Sequence, residues 1–169
     1  MNFTPSAAPV QVSVTTDPAV IQELALATWQ TTYQHILAQA QIEYMLQTFY
    51  TQEALQQQMG TGQTFLLASQ AGVPVAFAAF SCSQPQENLY KLNKLYIHPE
   101  YQGLGVGRLL LEEVVSRAKT MGGKELELNV HRLNPAFYFY KRHGFTVHLV
   151  ADIPLGDFVL NDYILRRPL

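Results

Sequence analysis

The sequence predicts an α/β sandwich: one mixed, mostly antiparallel sheet of about seven strands flanked by helices, in a single domain spanning residues 1–169. Three observations carry that expectation. Runs of period two and runs of helical period follow one another as strand, helices, three strands, helix, strand, helix, two strands. Gln70, Ala71 and Gly72 make a short hairpin turn between two strand-like runs, so neighbours there are antiparallel. The chain has 169 residues, 48% of them hydrophobic and 14% charged, which suits one buried core and little disorder.

The elements follow in order. Val10 to Val14 alternate as a short strand, and Asp17 followed by Pro18 marks a helix start that runs to about Tyr33. Ile42, Met45, Leu46 and Phe49 recur at helical spacing in a second helix from about Ala40, and a third begins at Thr51, has Glu53 in its first turn and stops at Gly60 and Gly62. Phe65 to Ser69, Val73 to Ser83 and Leu89 to Ile97 read as strands, the last ended by Pro99. From Gly105 to about Met121, Val106, Leu109, Leu110, Val114 and Ala118 form one helix face, closed by Gly122 and Gly123. Leu126, Leu128 and Val130 alternate as a strand. Asn134 caps a helix with Pro135 in its first position, running to Arg142; strands from Gly144 to Val150 and from Phe158 to Leu165 complete the sheet.

Bulk properties exclude several classes. A net charge of -2 offers no broad basic field for nucleic acid. No apolar run reaches the roughly 18 residues of a membrane span, and Met1 to Val10 lacks the regions of a secretory signal, so no membrane association and a cytoplasmic location are expected. Cys82 is the sole cysteine, which rules out an internal disulfide and fits a reducing compartment; it reads as core or edge filler in an apolar strand. His35, His98, His131, His143 and His148 show no metal-ligand spacing, and no bound metal is expected.

The most informative stretch is Gln102, Gly103, Leu104, Gly105, Val106, Gly107 and Arg108, a glycine-spaced turn between a strand and an amphipathic helix. Such a turn leaves backbone N–H groups free at the positive end of a helix and removes side chains that would keep an anion away, so its expected ligand is a phosphate or pyrophosphate. A P-loop would need Lys and then Ser or Thr after its last glycine, but Arg108 and Leu109 follow Gly107. A dinucleotide turn would have another glycine spacing and would stand near the start of its βαβ unit. The remaining pattern has Leu95, Tyr96, Ile97, His98 and Pro99 ahead of Gln102, and it resembles the pyrophosphate-binding motif of GCN5-related N-acetyltransferases. A second segment extends the resemblance. Leu126, Leu128, Val130, Asn134, Ala136, Phe137, Tyr140, Lys141, Gly144 and Phe145 are similar to that family's Asn, Ala, Tyr and Gly-Phe segment. The run Trp29, Thr32, Tyr33, Ile36, Leu37, Ile42, Tyr44, Met45 and Leu46 is similar to a bacterial subgroup that includes polyamine acetyltransferases.

The resemblance implies acetyl-CoA as cosubstrate, a sheet splayed between the strands ending at Ile97 and Val130, and pairing of the pantetheine amides with backbone of Leu95 and Ile97. It also implies cofactor contacts along Leu95, Tyr96 and Ile97, along Gln102, Gly103, Leu104, Gly105, Val106, Gly107 and Arg108, and at Asn134, Ala136, Phe137 and Lys141. Asn134 would also cap its helix, and Lys141 with Arg142 would either meet the 3′-phosphate or stand as solvated charges. Tyr140 becomes the general acid for the departing thiolate, against the plainer reading of a packing tyrosine beside Phe137 and Tyr138. Ile97 N–H is the choice for the oxyanion. Tyr33 and His35 are expected at the acceptor side. Trp29, Tyr33, Tyr44, Phe49 and Tyr50 otherwise read as core.

One position departs from the family: where many members place Glu, this chain has Asn93, which cannot take a proton. Tyr96, His98, Glu127 and His131 are the substitutes, or the amine arrives neutral. The expected activity is direct transfer of an acetyl group to a primary amine, a polyamine or other small molecule, with no nucleic-acid partner and with a homodimer as the assembly common among similar proteins. The alternatives are a protein N-terminal or lysine acetyltransferase, a CoA-binding sensor without turnover, and a purely structural module.

Overall fold

The computed structural model describes residues 8–169. Part of the segment weighed as a secretory signal, residues 1–7, lies outside them. Among the described residues the elements run β1 (Val10–Thr15), α1 (Pro18–Tyr33), α2 (Gln39–Phe49), α3 (Gln52–Gly60), β2 (Thr64–Gln70), β3 (Val73–Gln84), β4 (Leu89–Ile97), α4 (Val106–Thr120), β5 (Glu125–His131), α5 (Ala136–Arg142), β6 (Thr146–Leu155) and β7 (Phe158–Pro168). The strands form one seven-stranded sheet in the order β1-β2-β3-β4-β5-β7-β6. Neighbours are antiparallel except for β4 and β5.

Local chemistry explains the boundaries. The Asp17 carboxylate accepts from Ala19 N–H at 3.0 Å ahead of Pro18, and the Thr51 hydroxyl accepts from Ala54 N–H at 3.1 Å, so α1 and α3 start where their caps stand. β6 continues past the expected Val150 to Leu155, because Gly156 and Asp157 form a two-residue turn that pairs Leu155 with Phe158; Gly156 has φ +58°. Cys82 is exposed near the end of β3, which removes the core reading and leaves the strand-edge one. The end of β3 outruns β2, whose pairing stops at Thr64↔Phe80, so Cys82 has a strand neighbour only in β4.

Helices cover both faces of the sheet. Leu110, Leu111, Val114 and Ala118 of α4 pack on Ala76, Ala78 and Phe80 of β3, while Ile21, Ala25 and Trp29 of α1 meet Phe77 and Ala79 of the same strand. Buried on both faces, β3 reads as a continuous apolar run rather than an alternating one. On β4 the register jumps from Phe80↔Leu92 to Ala79↔Lys94, leaving Asn93 as the extra residue of a bulge. That residue reverses the strand's faces. Tyr90 and Leu92 face α4, but beyond the bulge Leu95 and Ile97 do so, and Tyr96 turns toward α1.

The same reversal buries Lys94. Its Nζ donates to Gln63 Oε1 at 2.9 Å and lies 5.3 Å from the Phe65 ring centre and 5.8 Å from that of Tyr50. Desolvation, helped by the nearby charge of Lys91, lowers its pKa to about 8. Between that value and the ordinary lysine range near 10.5 the unfolded chain binds the proton and the folded one does not, so this group's contribution to stability rises with pH across that window. Lys94→Met is therefore expected to stabilise the fold at pH 7 by about 1 kcal/mol, and the advantage should shrink by about pH 10, as read by urea unfolding at both pH values. An advantage that stays constant with pH would assign the effect to packing.

Candidate active site

β4 and β5 share three pairs, Leu89↔Glu125, Tyr90↔Leu126 and Lys91↔Glu127, and then part. Leu92 to Ile97 on one side and Leu128 to Val130 on the other become the walls of a cavity of about 640 Å³. His98 N–H donates to Val75 O at 2.8 Å, on the β3 side; by the alternation of an antiparallel ladder, the N–H and C=O groups of Leu95 and Ile97 face the gap. The Ile97 carbonyl is met there by Gln102 Nε2 at 3.1 Å. The Ile97 N–H takes no acceptor beyond the sheet among the described residues.

One end of the cavity is the glycine turn. Gly103 has φ +75° and Gly105, the residue capping α4, has φ +85°; a Cβ built at either meets nothing within 4 Å. The first helical hydrogen bond is Leu109 N–H to Gly105 O at 3.1 Å, and among the described residues the N–H groups of Gly103, Leu104, Gly105, Val106, Gly107 and Arg108 have no acceptor. Consecutive free donors at a helix start form an anion cradle. Gly107 serves packing as well, since a Cβ there would stand 3.2 Å from Ile97 Cδ1 and 3.6 Å from Phe139 Cζ. These features fit a diphosphate at the turn and an extended amide-bearing arm along the gap.

The opposite wall comes from α5 and α1. Asn134 is buried, lines the cavity and caps α5 by accepting from Ala136 N–H at 2.9 Å; the regular helix begins one residue later than expected, with Pro135 as its cap position. Tyr140 lines the cavity, packed edge-on against Phe139 at 5.3 Å and Phe145 at 5.6 Å, and its hydroxyl has no partner among the described residues. From α1, Tyr33 Oη meets Tyr96 Oη at 2.9 Å. Burial raises the pKa of all three phenols, most strongly for Tyr96, so each is protonated at neutral pH and has a proton to donate.

Of the residues expected at the site, Leu95, Tyr96, Ile97, Gln102, Gly103, Gly105, Val106, Gly107, Arg108, Asn134, Ala136, Tyr140 and Tyr33 line this cavity. Four others stand outside its lining. The Leu104 side chain is exposed between two left-handed glycines, leaving its N–H as the part turned to the cradle. Phe137 packs on Tyr163 at 5.0 Å, and Lys141 Nζ lies 5.9 Å from the Phe137 ring centre. His35, two residues past the end of α1, is exposed.

Asn93 and each substitute for the missing carboxylate already hold a partner, although both imidazoles keep Nε2 without one among the described residues. Asn93 Oδ1 accepts from the Ser81 hydroxyl at 2.9 Å, Glu127 pairs with Arg166 at 2.7 Å, and Tyr96 is bound to Tyr33. His98 Nδ1 accepts from Glu100 N–H at 3.2 Å, and His131 Nδ1 accepts from Leu133 N–H at 3.1 Å. Two polar residues that were read only as strand members do matter here: Asn129, which lines the cavity, and Asp162 of β7, whose Oδ2 lies 3.4 Å from Asn129 Nδ2. Asn129 was legible as the polar residue between Leu128 and Val130. Asp162 carried no local signal, because the β5–β7 register brings it in from across the sheet. Among the described residues no group of His, Cys, Asp and Glu could hold a metal ion, and no helix is long and apolar enough to cross a membrane.

Comparison with known proteins adds four findings. A family model described as an acetyltransferase (GNAT) domain matches residues 30–152. The spermidine N(1)-acetyltransferase of Thermoplasma acidophilum is 30% identical over 150 residues, 85% of this chain and 89% of that protein. Among solved structures, the PaiA N-acetyltransferase from Thermoplasma acidophilum in complex with coenzyme A superposes with a TM-score of 0.80 at 27% identity, covering 95% of this chain and 99% of that one. The ribosomal-protein-S18-alanine N-acetyltransferase from Escherichia coli shares the fold at a TM-score of 0.72 and 21% identity, covering 95% of this chain and 94% of that one.

Proposed function

The chain belongs to the GNAT acetyltransferase family, and from that membership we propose that it transfers the acetyl group of acetyl-CoA to a primary amine of a small molecule, with a polyamine as the first candidate. The observation that carries the reading is the run of unpaired N–H groups from Gly103 to Arg108 at one end of a cavity whose walls are two parted strands. The relative named as a spermidine acetyltransferase supports the acceptor class.

When bound, acetyl-CoA supplies an activated thioester. The chain's own groups do the rest. The N–H groups of the turn and the positive end of α4 bind the diphosphate. The main-chain edges of Leu95 and Ile97 align the arm, and the Ile97 N–H receives the negative charge that develops on the acetyl oxygen. Tyr33 and Tyr96, bound to each other, border the acceptor side. The amine's lone pair attacks the acetyl carbon directly, the C–S bond breaks, and Tyr140 gives its proton to the leaving sulfur; the proton that the acylated nitrogen sheds passes to water, and the Tyr140 phenolate is reprotonated from solvent. No covalent enzyme intermediate is part of this scheme.

The continuous seven-stranded sheet supports treating the described residues 8–169 as one domain, and a free, exposed Cys82 suits a reducing compartment such as the cytoplasm. Release of free thiol, followed across a panel of primary amines, tests the activity. Turnover with at least one small aliphatic amine is expected. Binding of acetyl-CoA without turnover on any amine or peptide would mark a sensor. A melting temperature that CoA leaves unchanged would end both readings, because ligand at a hundred times its Kd should add about 2.7 kcal/mol of stability.

A further inference from the structure

Asp162 is a buried carboxylate in want of a cation. It is 6% exposed, yet among the described residues no Lys, Arg or His side chain forms an ion pair with it. Its strand partner is His131, and Arg132 stands next along β5. Arg132, however, spends its guanidinium on Asp152 at 2.7 Å and reaches only the main-chain oxygen of Asp162, at 3.4 Å. An ionised carboxylate taken out of water is costly unless it is paired, so the missing partner calls for an explanation.

Its one side-chain donor is Asn129 Nδ2, at a long 3.4 Å. A carboxylate only accepts, so the amide must turn its NH2 toward Asp162, which leaves Oδ1 as the acceptor it offers elsewhere. Asn129 lines the cavity. Neither Asn129 Oδ1 nor Asp162 Oδ1 has a partner among the described residues, and neither is among the fully occluded unpartnered atoms, which are Trp29 Nε1 and Gln58 Oε1. Two acceptor oxygens on one sheet face are therefore unpartnered and not fully occluded, Asn129 on the cavity wall and Asp162 hydrogen-bonded to it from outside the lining. Tyr33 borders the same place from α1: burial raises its phenol, and the Asp162 charge adds to that rise.

We propose that Asp162 and Asn129 form a seat for an ammonium group of the acceptor, so that the preferred substrate is an aliphatic amine carrying a second, non-reacting positive charge. The second charge follows from the chemistry. The attacking nitrogen must be uncharged, whereas an anionic seat holds a nitrogen in its protonated form. This inference rests on the amine-acetylation reading, and it adds the feature that distinguishes one acceptor from another.

Diaminobutane and butylamine, alike in length and different in charge, provide the test. The wild-type protein is expected to favour the diamine in kcat/KM by about tenfold or more, and Asp162→Asn to erase that preference by raising the diamine KM about tenfold to a hundredfold, the worth of a hydrogen bond to a charged group. Butylamine kinetics and acetyl-CoA affinity should be unchanged, and the melting temperature should hold or rise, because the variant removes an unpaired buried charge. Asn129→Leu, which keeps the carboxylate, should lose part of the preference. An equal loss for both amines, or an unchanged preference, overturns the seat. Calorimetric titration of diaminobutane into the CoA-loaded protein reads the seat without turnover: binding that Asp162→Asn removes supports it, and binding that is absent, or equal in the two proteins, overturns it. Failure of the acetylation reading shows separately, as no thiol released from any amine.

Discussion

Gly105→Glu is expected to remove measurable binding of acetyl-CoA while leaving the protein folded. Gly105 sits at the cap of α4 with φ +85° and ψ 3°, and a Cβ added there points into open space rather than into a neighbour. Two effects then separate. Any L-residue in that left-handed position carries strain of about 1–2 kcal/mol. A glutamate also brings a carboxylate into the mouth of a cradle whose donors suit an anion. Two like charges about 4 Å apart at an effective dielectric of about 20 repel by about 4 kcal/mol, enough to weaken binding by more than a hundredfold. Gly105→Ala isolates the strain and should weaken binding about tenfold or less. Calorimetry on the two variants and the wild type decides it, and raised ionic strength should narrow the gap between Glu and Ala. Equal affinities for Glu and Ala would mean that the diphosphate binds elsewhere.

What could be read from the chain alone was whatever depends on short-range chemistry. Asp17 and Thr51 announced their helices because a cap acts on N–H groups two or three residues away. The glycine turn was legible for the same reason, since Gly103 and Gly105 need the left-handed backbone that the cradle requires. The features missed depend on contacts between distant segments. The bulge at Asn93 is set by the register of β4 on β3, and it reverses the strand's faces so that Lys94 is buried and Tyr96 meets Tyr33. Asp162 comes within reach of the cavity-lining Asn129 through the pairing of β5 with β7, more than thirty residues away in the chain. Phe137 and Lys141 show the converse. Their place in a motif suggested the cavity, but α5 buries only Tyr140, and Phe137 is taken up by Tyr163. The Gly156–Asp157 turn was present in the sequence as a hairpin signal, and it explains why β6 runs on to Leu155.

Tyr140→Phe is expected to lower kcat by about a hundredfold to ten-thousandfold with little change in acetyl-CoA affinity, the span typical of a lost general acid. The substitution is a clean one. Phe139 and Phe145 pack edge-on against the ring, not the hydroxyl, and the hydroxyl has no protein partner among the described residues, so its loss strands no buried group. Melting temperature should accordingly hold or rise slightly. Burial raises the Tyr140 pKa, with the nearby Tyr33 adding to it, so the phenol keeps its proton well past neutrality and the wild-type rate should not fall from loss of this acid below the ordinary tyrosine range near 10. The dependence on leaving group separates acid catalysis from mere positioning. A thiolate of low pKa departs without help, so an acetyl thioester of an acidic thiol should be turned over at nearly the same rate by Tyr140→Phe and wild type, while acetyl-CoA reveals the full deficit. A deficit of the same size for both thioesters would mean that the Tyr140 hydroxyl orients the cosubstrate and that the sulfur receives its proton from another donor or from water.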